Sequence, residues 1–405
     1  MDVFVARQPI FNRNREVYGY ELLYRLNTAN YYNNPDGDGD RATSEVIANS
    51  FLLIGLDALT GGKRAFINFT QNLLKSEVPT ILPKELIAVE ILENIEVDQK
   101  LIDACRKLKQ MGYTIVLDDF VLDDTFRPLI EMADIIKIDF LDDKIKEKMS
   151  SIRKYGTNKV QLLAEKVETT EAFHQAFDLG YSYFQGYFFS KPIILAGQDI
   201  PGYKLNNLQM LHEVNMPELD FDKLESVIKR DVSLSYKLLK YINSAAFGFR
   251  SKIDSIKHAL VILGTREIKK WVSLIIMRGL GEDKPDEIMT SSIVRAKFCE
   301  LLAPVVGLKE RSPDLFLMGL FSMIEAFINR PMADILQELP LAGDVKNALL
   351  GKECRYRDVY ELVLAYEKGD WENFFICAAK FEMVGADVPK IYLESLMWAN
   401  QVMRL

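Results

Sequence analysis

Oxygen-bearing side chains recur at the ends of short apolar runs through the first half of this chain. YELLYR carries Glu21 and Arg25, FINFT Asn68, and AVEILE Glu90 and Glu93. IVLDDF follows with Asp118 and Asp119, IIKID with Lys137 and Asp139, LLAEKVE with Glu165 and Glu168, and YFQGY with Gln185. Glu21, Asn68, Glu90 and Asp118 all offer oxygen donors, the ligands that hard cations such as Mg²⁺ or Mn²⁺ favour. Asp119 could bridge to a second ion, and a pair of ions activates water and stabilises an anionic transition state. Lys137 suits stabilising negative charge or orienting a nucleophile, with Glu165 holding the lysine or a bound water. That inventory fits hydrolysis of a phosphodiester. Any one of these acids could instead cap a helix or form a surface ion pair. The ordered set is what argues for one site.

The elements that must position these residues follow from the hydrophobic pattern. Apolar runs of four to six residues predict strands buried on both faces, as in a parallel sheet. Strands are predicted at 2–10, 17–25, 64–70, 86–92, 113–118, 134–139, 159–164 and 182–189. Helices are predicted between most of them, at 41–59, 98–111, 124–132, 143–155 and 169–179. Such alternation points to α/β units. The linker FNRNRE is too short for a helical crossover, so the first two strands should form an antiparallel hairpin. The expected fold is an α/β barrel with an irregular first strand, and acids at its strand ends would gather at the mouth. The polar stretch NTANYYNNPDGDGD (27–40) lacks the register of a calcium loop and is expected to be a solvated loop.

The motifs together resemble the EAL domain, a family that hydrolyses cyclic di-GMP to the linear dinucleotide on a modified TIM barrel. The likeness covers about residues 1–195. RQPIFN is similar to the family's opening QPI element, and YELLYR to its E-A-L-x-R signature with Leu22 in place of Ala. FINFT, VEILE, LDDF, KID, AEKVET and QGYFFSKP follow in the family's order. The resemblance implies that Glu21, Asn68, Glu90 and Asp118 are ligands of a first metal, with Asp119 serving a second. It implies that Lys137 and Glu165 assist the attacking water and that Gln185 orients the site. Gln8 and Arg25 would contact the nucleotide or its phosphate. Two departures stand out. After LDDF the chain reads VLDDTF, without the glycines usual in that loop, so the backbone cannot copy the usual path cheaply. Lys166 also stands where the family commonly has Gly.

Beyond SKPIILAGQDIPG (189–203), the predicted boundary, the text is almost wholly helical, giving a barrel over 1–198 and an all-α half over 199–405. Asp220, Ser233 and Ser255 are expected helix caps, and Gly264 and Gly279 stand where helices could stop. The run DVSLSYKLLKYINSAAFGFRSKIDSIKHALVILG resembles the HDOD domain, a helical relative of metal-dependent HD phosphohydrolases. Asn243 and Ser244 could close a helix or bind neighbouring backbone. An HD enzyme needs an adjacent His-Asp pair, whereas GLFSMIE places Ser322 and Met323 there. His174, His212 and His258 are isolated. This half is therefore expected to bind an unknown protein partner or pass a signal rather than catalyse.

With 405 residues, 27% charged and a net charge of −8, the chain offers no large basic surface for a nucleic-acid polymer. Its four cysteines are scattered, its apolar stretches are too short for a membrane span, and MDVFVARQPIF has no signal-peptide pattern. The expected protein is cytoplasmic, and a homodimer is compatible with the sequence. Two functional classes compete. One is a cyclic di-GMP phosphodiesterase using two Mg²⁺ or Mn²⁺ ions. The other is a non-hydrolysing receptor or scaffold.

Overall fold

A computed structural model describes residues 3–26, 56–93, 95–118, 125–140 and 160–187, short stretches between 211 and 253, and then 255–281, 284–381, 383 and 387–403. Eight strands close into a barrel in chain order: β1 (Val3–Asn12), β2 (Val17–Leu26), β3 (Arg64–Phe69), β4 (Ile87–Ile91), β5 (Thr114–Asp118), β6 (Ile135–Asp139), β7 (Gln161–Glu165) and β8 (Tyr183–Gln185). β1 runs antiparallel to both β2 and β8, and all other neighbours are parallel. The expected hairpin and modified TIM barrel are therefore both present.

The helices of the barrel half start and stop where local chemistry dictates. α1 (Leu56–Thr60) precedes β3, and α2 (Gln71–Lys75) follows it, capped by Thr70, whose hydroxyl accepts from the Leu73 amide. α3 (Gln99–Met111) is capped by Asp98, which accepts from the Leu101 amide at 2.9 Å, and it ends at Gly112. α4 (Arg127–Met132) and α5 (Thr170–Asp178) complete the described set. The expected helix at 143–155, most of that at 41–59, and the polar stretch 27–40 lie outside the described residues.

Inside the barrel, one apolar layer fills the axis. Ile10, Phe66, Ala88, Val116, Ile135, Leu163 and Tyr183 pack together, with Tyr18 against them. Strand side chains alternate with period two, so the residue two positions toward the mouth shares the same inward face. That step leads from Ile10 to Gln8, Phe66 to Asn68, Ala88 to Glu90, Val116 to Asp118, Ile135 to Lys137, Leu163 to Glu165 and Tyr183 to Gln185. On β2 the equivalent pair is Gly19 and Glu21. A Cβ on Gly19 would lie 2.6 Å from the Arg64 carbonyl oxygen and 2.9 Å from the Phe66 ring. The glycine is thus required by close backbone approach in a filled layer.

The carboxy-terminal helices are α6 (Ile256–Leu280), α7 (Asp286–Leu302), α8 (Ser312–Phe321), α9 (Ile324–Ile328), α10 (Met332–Glu338), α11 (Gly343–Leu349), α12 (Arg355–Glu367), α13 (Trp371–Ala379) and α14 (Val388–Met403). Ser255 caps α6 by accepting from the His258 amide at 3.2 Å, and Gly264, at φ 68° and ψ 169°, breaks its helical path. Gly279 does not end a helix. α6 continues through it to Leu280 and is capped at Gly281. Asn243 binds the backbone of Ile253 both ways, donating to its carbonyl at 2.7 Å and accepting from its amide at 2.8 Å. Asp220, Ser233 and Ser244 lie outside the described residues. No described helix is long and apolar enough to cross a membrane.

The chain divides into two compact units. The first joins Met1–Lys191 with two later segments, Leu364–Ile376 and Asp387–Leu393, and the second holds the remaining residues. Gly19→Ala should destabilise the barrel by about 1–3 kcal/mol through overpacking. A denaturant titration followed by tryptophan-independent circular dichroism checks this, and an unchanged midpoint would show that β2 and β3 can part without cost.

Candidate active site

Each strand hands one polar side chain to the layer above the apolar one, and these side chains meet. The Lys137 ammonium is the hub. It lies 2.6 Å from Glu90 Oε1, 2.8 Å from Glu165 Oε1, and 3.4 Å from both Glu21 Oε2 and Asp118 Oδ1. Glu21 is held from the other side, with Gln185 Nε2 donating to its Oε2 at 2.6 Å and Asn68 Nδ2 to its Oε1 at 3.4 Å. Gln185 Nε2 also donates to Gln8 Oε1 at 2.9 Å, tying β8 to β1. Eight predicted residues thus stand in one ring: Gln8, Glu21, Asn68, Glu90, Asp118, Lys137, Glu165 and Gln185. Asp119 and the side chain of Arg25 lie outside the described residues, as does the VLDDTF stretch through Asp124.

Burial makes this ring electrostatically tense. Lys137, Glu21, Glu90 and Gln185 are all buried. Dehydration alone lowers the pKa of the Lys137 ammonium, but Glu21, Glu90, Glu165 and Asp118 outweigh it and hold the pKa well above the lysine norm. Glu90 goes the other way. Its desolvation, reinforced by Glu21 and Asp118, exceeds the pull of Lys137 and raises its pKa well above the carboxylate norm. Glu165 is pushed up to about 7, first by burial and then by Asp118 and Glu21 against the opposing lysine. For Glu21 burial also raises, yet Lys137 and the hydrogen bonds from Gln185 and Asn68 prevail and its pKa is lowered.

A cation fits this donor set. Glu21, Glu90 and Asp118 each offer a carboxylate oxygen, and these atoms lie within 4.8 Å of one another. Glu90 Oε2 is fully buried with no hydrogen-bond partner. A dehydrated carboxylate oxygen in that state is costly unless something positive takes it. Among the described residues this is the one group of three or more His, Cys, Asp or Glu arranged to hold a metal.

Two neighbouring features refine the sequence picture. Glu93 and Glu168 are exposed, whereas Glu90 and Glu165 meet Lys137 in the ring. Lys166, in the position the resemblance gives to glycine, has φ 54° and reaches Asp139 Oδ2 at 2.5 Å. The backbone there needs a left-handed residue, and this chain meets the need with a lysine anchored to the strand beside it. In the second unit, Ser322 donates to the Gly319 carbonyl at 2.7 Å and accepts from Arg295 at 2.8 Å, while Met323 is buried. Lys166→Gly should leave stability level or slightly higher. Lys166→Val should fall below it by about 1–2 kcal/mol, since a β-branched side chain resists φ above zero. Thermal melts of the two variants compare them directly, and equal midpoints would mean that the left-handed turn carries no constraint.

Residues 51–192 match the family model of the EAL domain, and residues 203–343 that of the HDOD domain. A protein of Bacillus subtilis strain 168, described as uncharacterized protein YuxH, is 39% identical across 100% of this chain and 99% of its own length. The cyclic di-GMP phosphodiesterase CdgJ of Vibrio cholerae serotype O1 is 36% identical across 99% of this chain and 93% of its own. Among solved structures, the Bacillus subtilis YkuI protein, with an EAL domain bound to c-di-GMP and calcium, covers 58% of this chain and 72% of its own at 23% identity and a TM-score of 0.38. Motif order, the closed barrel with its reversed first strand, the acid ring and full-length similarity to two relatives agree: this chain belongs to the family of proteins that join an EAL domain to an HDOD domain.

Proposed function

We propose that the barrel is a metal-dependent phosphodiesterase that hydrolyses cyclic di-GMP to linear pGpG. The observation that carries this reading is the convergence of Glu21, Glu90 and Asp118 within 4.8 Å, with a buried, unbonded oxygen on Glu90. The full-length likeness to a cyclic di-GMP phosphodiesterase supports the substrate. Glu21, Asn68, Glu90 and Asp118 would hold a first Mg²⁺ or Mn²⁺, and Asp119 is proposed for a second. Such a cation supplies Lewis acidity, lowering the pKa of water and offsetting phosphate charge.

The chain's own residues do the rest. Lys137, charged and fixed by four carboxylates, presents positive charge toward the place where charge develops on the phosphate. Glu165, with its pKa near 7, can accept a proton at neutral pH while staying within 2.8 Å of the lysine. Gln185 and Asn68 fix the rotamer of Glu21, so that its oxygens stay aimed at the centre. Gln8, bonded to Gln185, and Arg25 are proposed substrate contacts. The helical half is proposed to bind a protein partner, with the division between halves falling in 189–203, which spans the gap between the two matched segments. Four cysteines outside any disulfide suit a reducing cytoplasm.

A specific feature favours a second reading. The loop VLDDTF after Asp119 lacks glycine, and a receptor that binds cyclic di-GMP without cleaving it would tolerate that change. Purified protein incubated with cyclic di-GMP and Mn²⁺ separates the two: pGpG formed by the wild type and abolished by Glu21→Ala supports the enzyme, whereas tight binding without product supports the receptor. Lys137→Ala should lower kcat by about 10²–10³ with little change in KM. A raised KM at constant kcat would remove Lys137 from the chemical step. Mn²⁺ at 100 times its Kd should add about 2.7 kcal/mol of stability to the wild type and far less to Glu90→Gln. Equal thermal shifts in the two proteins would place the ion elsewhere.

A further inference from the structure

The amino-terminal hairpin is longer than the barrel it helps close. In the described pairing, β2 meets β3 only through Gly19–Glu21, and β1 meets β8 only through Ile10–Asn12. Val3–Pro9 and the residues after Glu21 therefore run on as a two-stranded ribbon, paired Gln8 to Glu21, Ala6 to Leu23 and Phe4 to Arg25. The ribbon leaves the barrel at its acid-lined end. Alternation puts Gln8, Ala6 and Phe4 on one side of β1, and Glu21 and Leu23 on the matching side of β2. At about 3.4 Å per residue, Leu23 stands roughly 7 Å beyond Glu21 and Phe4 roughly 14 Å beyond it.

That side of the ribbon is covered by the later segment Leu364–Ile376, which belongs to the same compact unit. α12 ends there, and Gly369, at φ 67°, turns the chain against Leu23 so tightly that a Cβ would come within 2.9 Å of its Cδ1. Asp370 then starts α13 by accepting from the Asn373 amide at 3.2 Å. The Phe4 ring lies 5.5 Å from Phe374, 5.6 Å from Phe375, 5.9 Å from Trp371 and 6.2 Å from Tyr366. Between these anchors Lys368 is exposed, and its ammonium lies 5.4 Å from the centroid of the Tyr187 ring. Tyr187 is two residues beyond Gln185. The segment thus meets Leu23, two residues beyond Glu21, and Tyr187, two residues beyond Gln185.

We propose that Tyr366–Phe375 is a wall of the substrate entrance and that Lys368 takes a phosphate of the incoming dinucleotide; this rests on the cyclic di-GMP reading above. A ring rich in carboxylates repels an anionic ligand at its approach, and a cation on the rim offsets that repulsion. The tyrosine face steadies the ammonium, and its N–H groups remain donors for phosphate oxygens. This contact comes from outside both segments matched by the family models.

The test uses the full chain as Lys368→Ala, Lys368→Glu and Lys368→Arg, with KM and kcat for cyclic di-GMP measured in Mn²⁺ across a range of salt. The expected result is a KM raised about five- to tenfold by Ala, further by Glu, and restored by Arg, with kcat and the Mn²⁺-induced thermal shift unchanged. The salt dependence of kcat/KM should flatten in the Ala variant. If the wild type binds without turnover, the dissociation constant carries the same comparison. KM values or dissociation constants of the Ala and Glu variants equal to wild type overturn the assignment of Lys368 alone. A fall in kcat with loss of the Mn²⁺ shift also overturns it, since the segment then acts on the metal site. A wild-type chain that neither binds nor hydrolyses cyclic di-GMP overturns this proposal and the reading beneath it together.

Discussion

A lysine ammonium removed from water costs several kcal/mol unless carboxylates meet it at close range. At the mouth of this barrel four of them do, and they come from strands β2, β4, β5 and β7. The interaction is mutual. Without Lys137 those acids would crowd one another in a dehydrated space, and without them burial would lower the lysine's pKa. Closure of the barrel and the polarity of its end are therefore one problem, because the strands must stay in register for the charges to stay paired. A further positive charge beside Glu90 completes the balance, which is why the site invites a divalent ion.

The packing beneath that ring explains its precision. Seven strands place an apolar side chain in the axial layer and a polar one two residues nearer the mouth, while β2 contributes Gly19 and then Glu21. A slip of one residue in any strand would turn its polar group outward and bury its neighbour instead. The large ring of Phe66 consumes the space that Gly19 leaves open, and Tyr18 packs against it. Rigid apolar packing and chemical capacity are thus adjacent floors of the same structure.

Much of this was legible in the sequence because both signals are local. Short apolar runs announce buried strands, and a polar residue near the end of each run announces the mouth. The reversed β1 followed from a linker too short to cross. Lys166 was visible as a lysine in a glycine's place, but only the backbone shows that the left-handed turn persists under it. The fixing of Glu21 by Gln185 joins positions 164 residues apart, and nothing in either neighbourhood encodes it. The same holds for Leu364–Ile376. Its aromatic residues have the spacing of an ordinary helical core, and their partner Phe4 lies at the far end of the chain. Hydrophobic pattern tells that a face is covered. It does not name the cover.

The division of labour between the ribbon and its cover bears on how the barrel can be studied. A fragment ending near residue 198 would retain every acid of the ring yet strip Phe4 of the aromatic packing supplied by Tyr366, Trp371 and Phe374, and Leu23 of the turn at Gly369. The result would be a bare two-stranded edge with an apolar side, the kind of surface that recruits other chains. Self-association or sluggish kinetics in such a fragment would then report the missing cover and not a defect in the acids themselves. Shortening this protein from its carboxy terminus removes part of its front door.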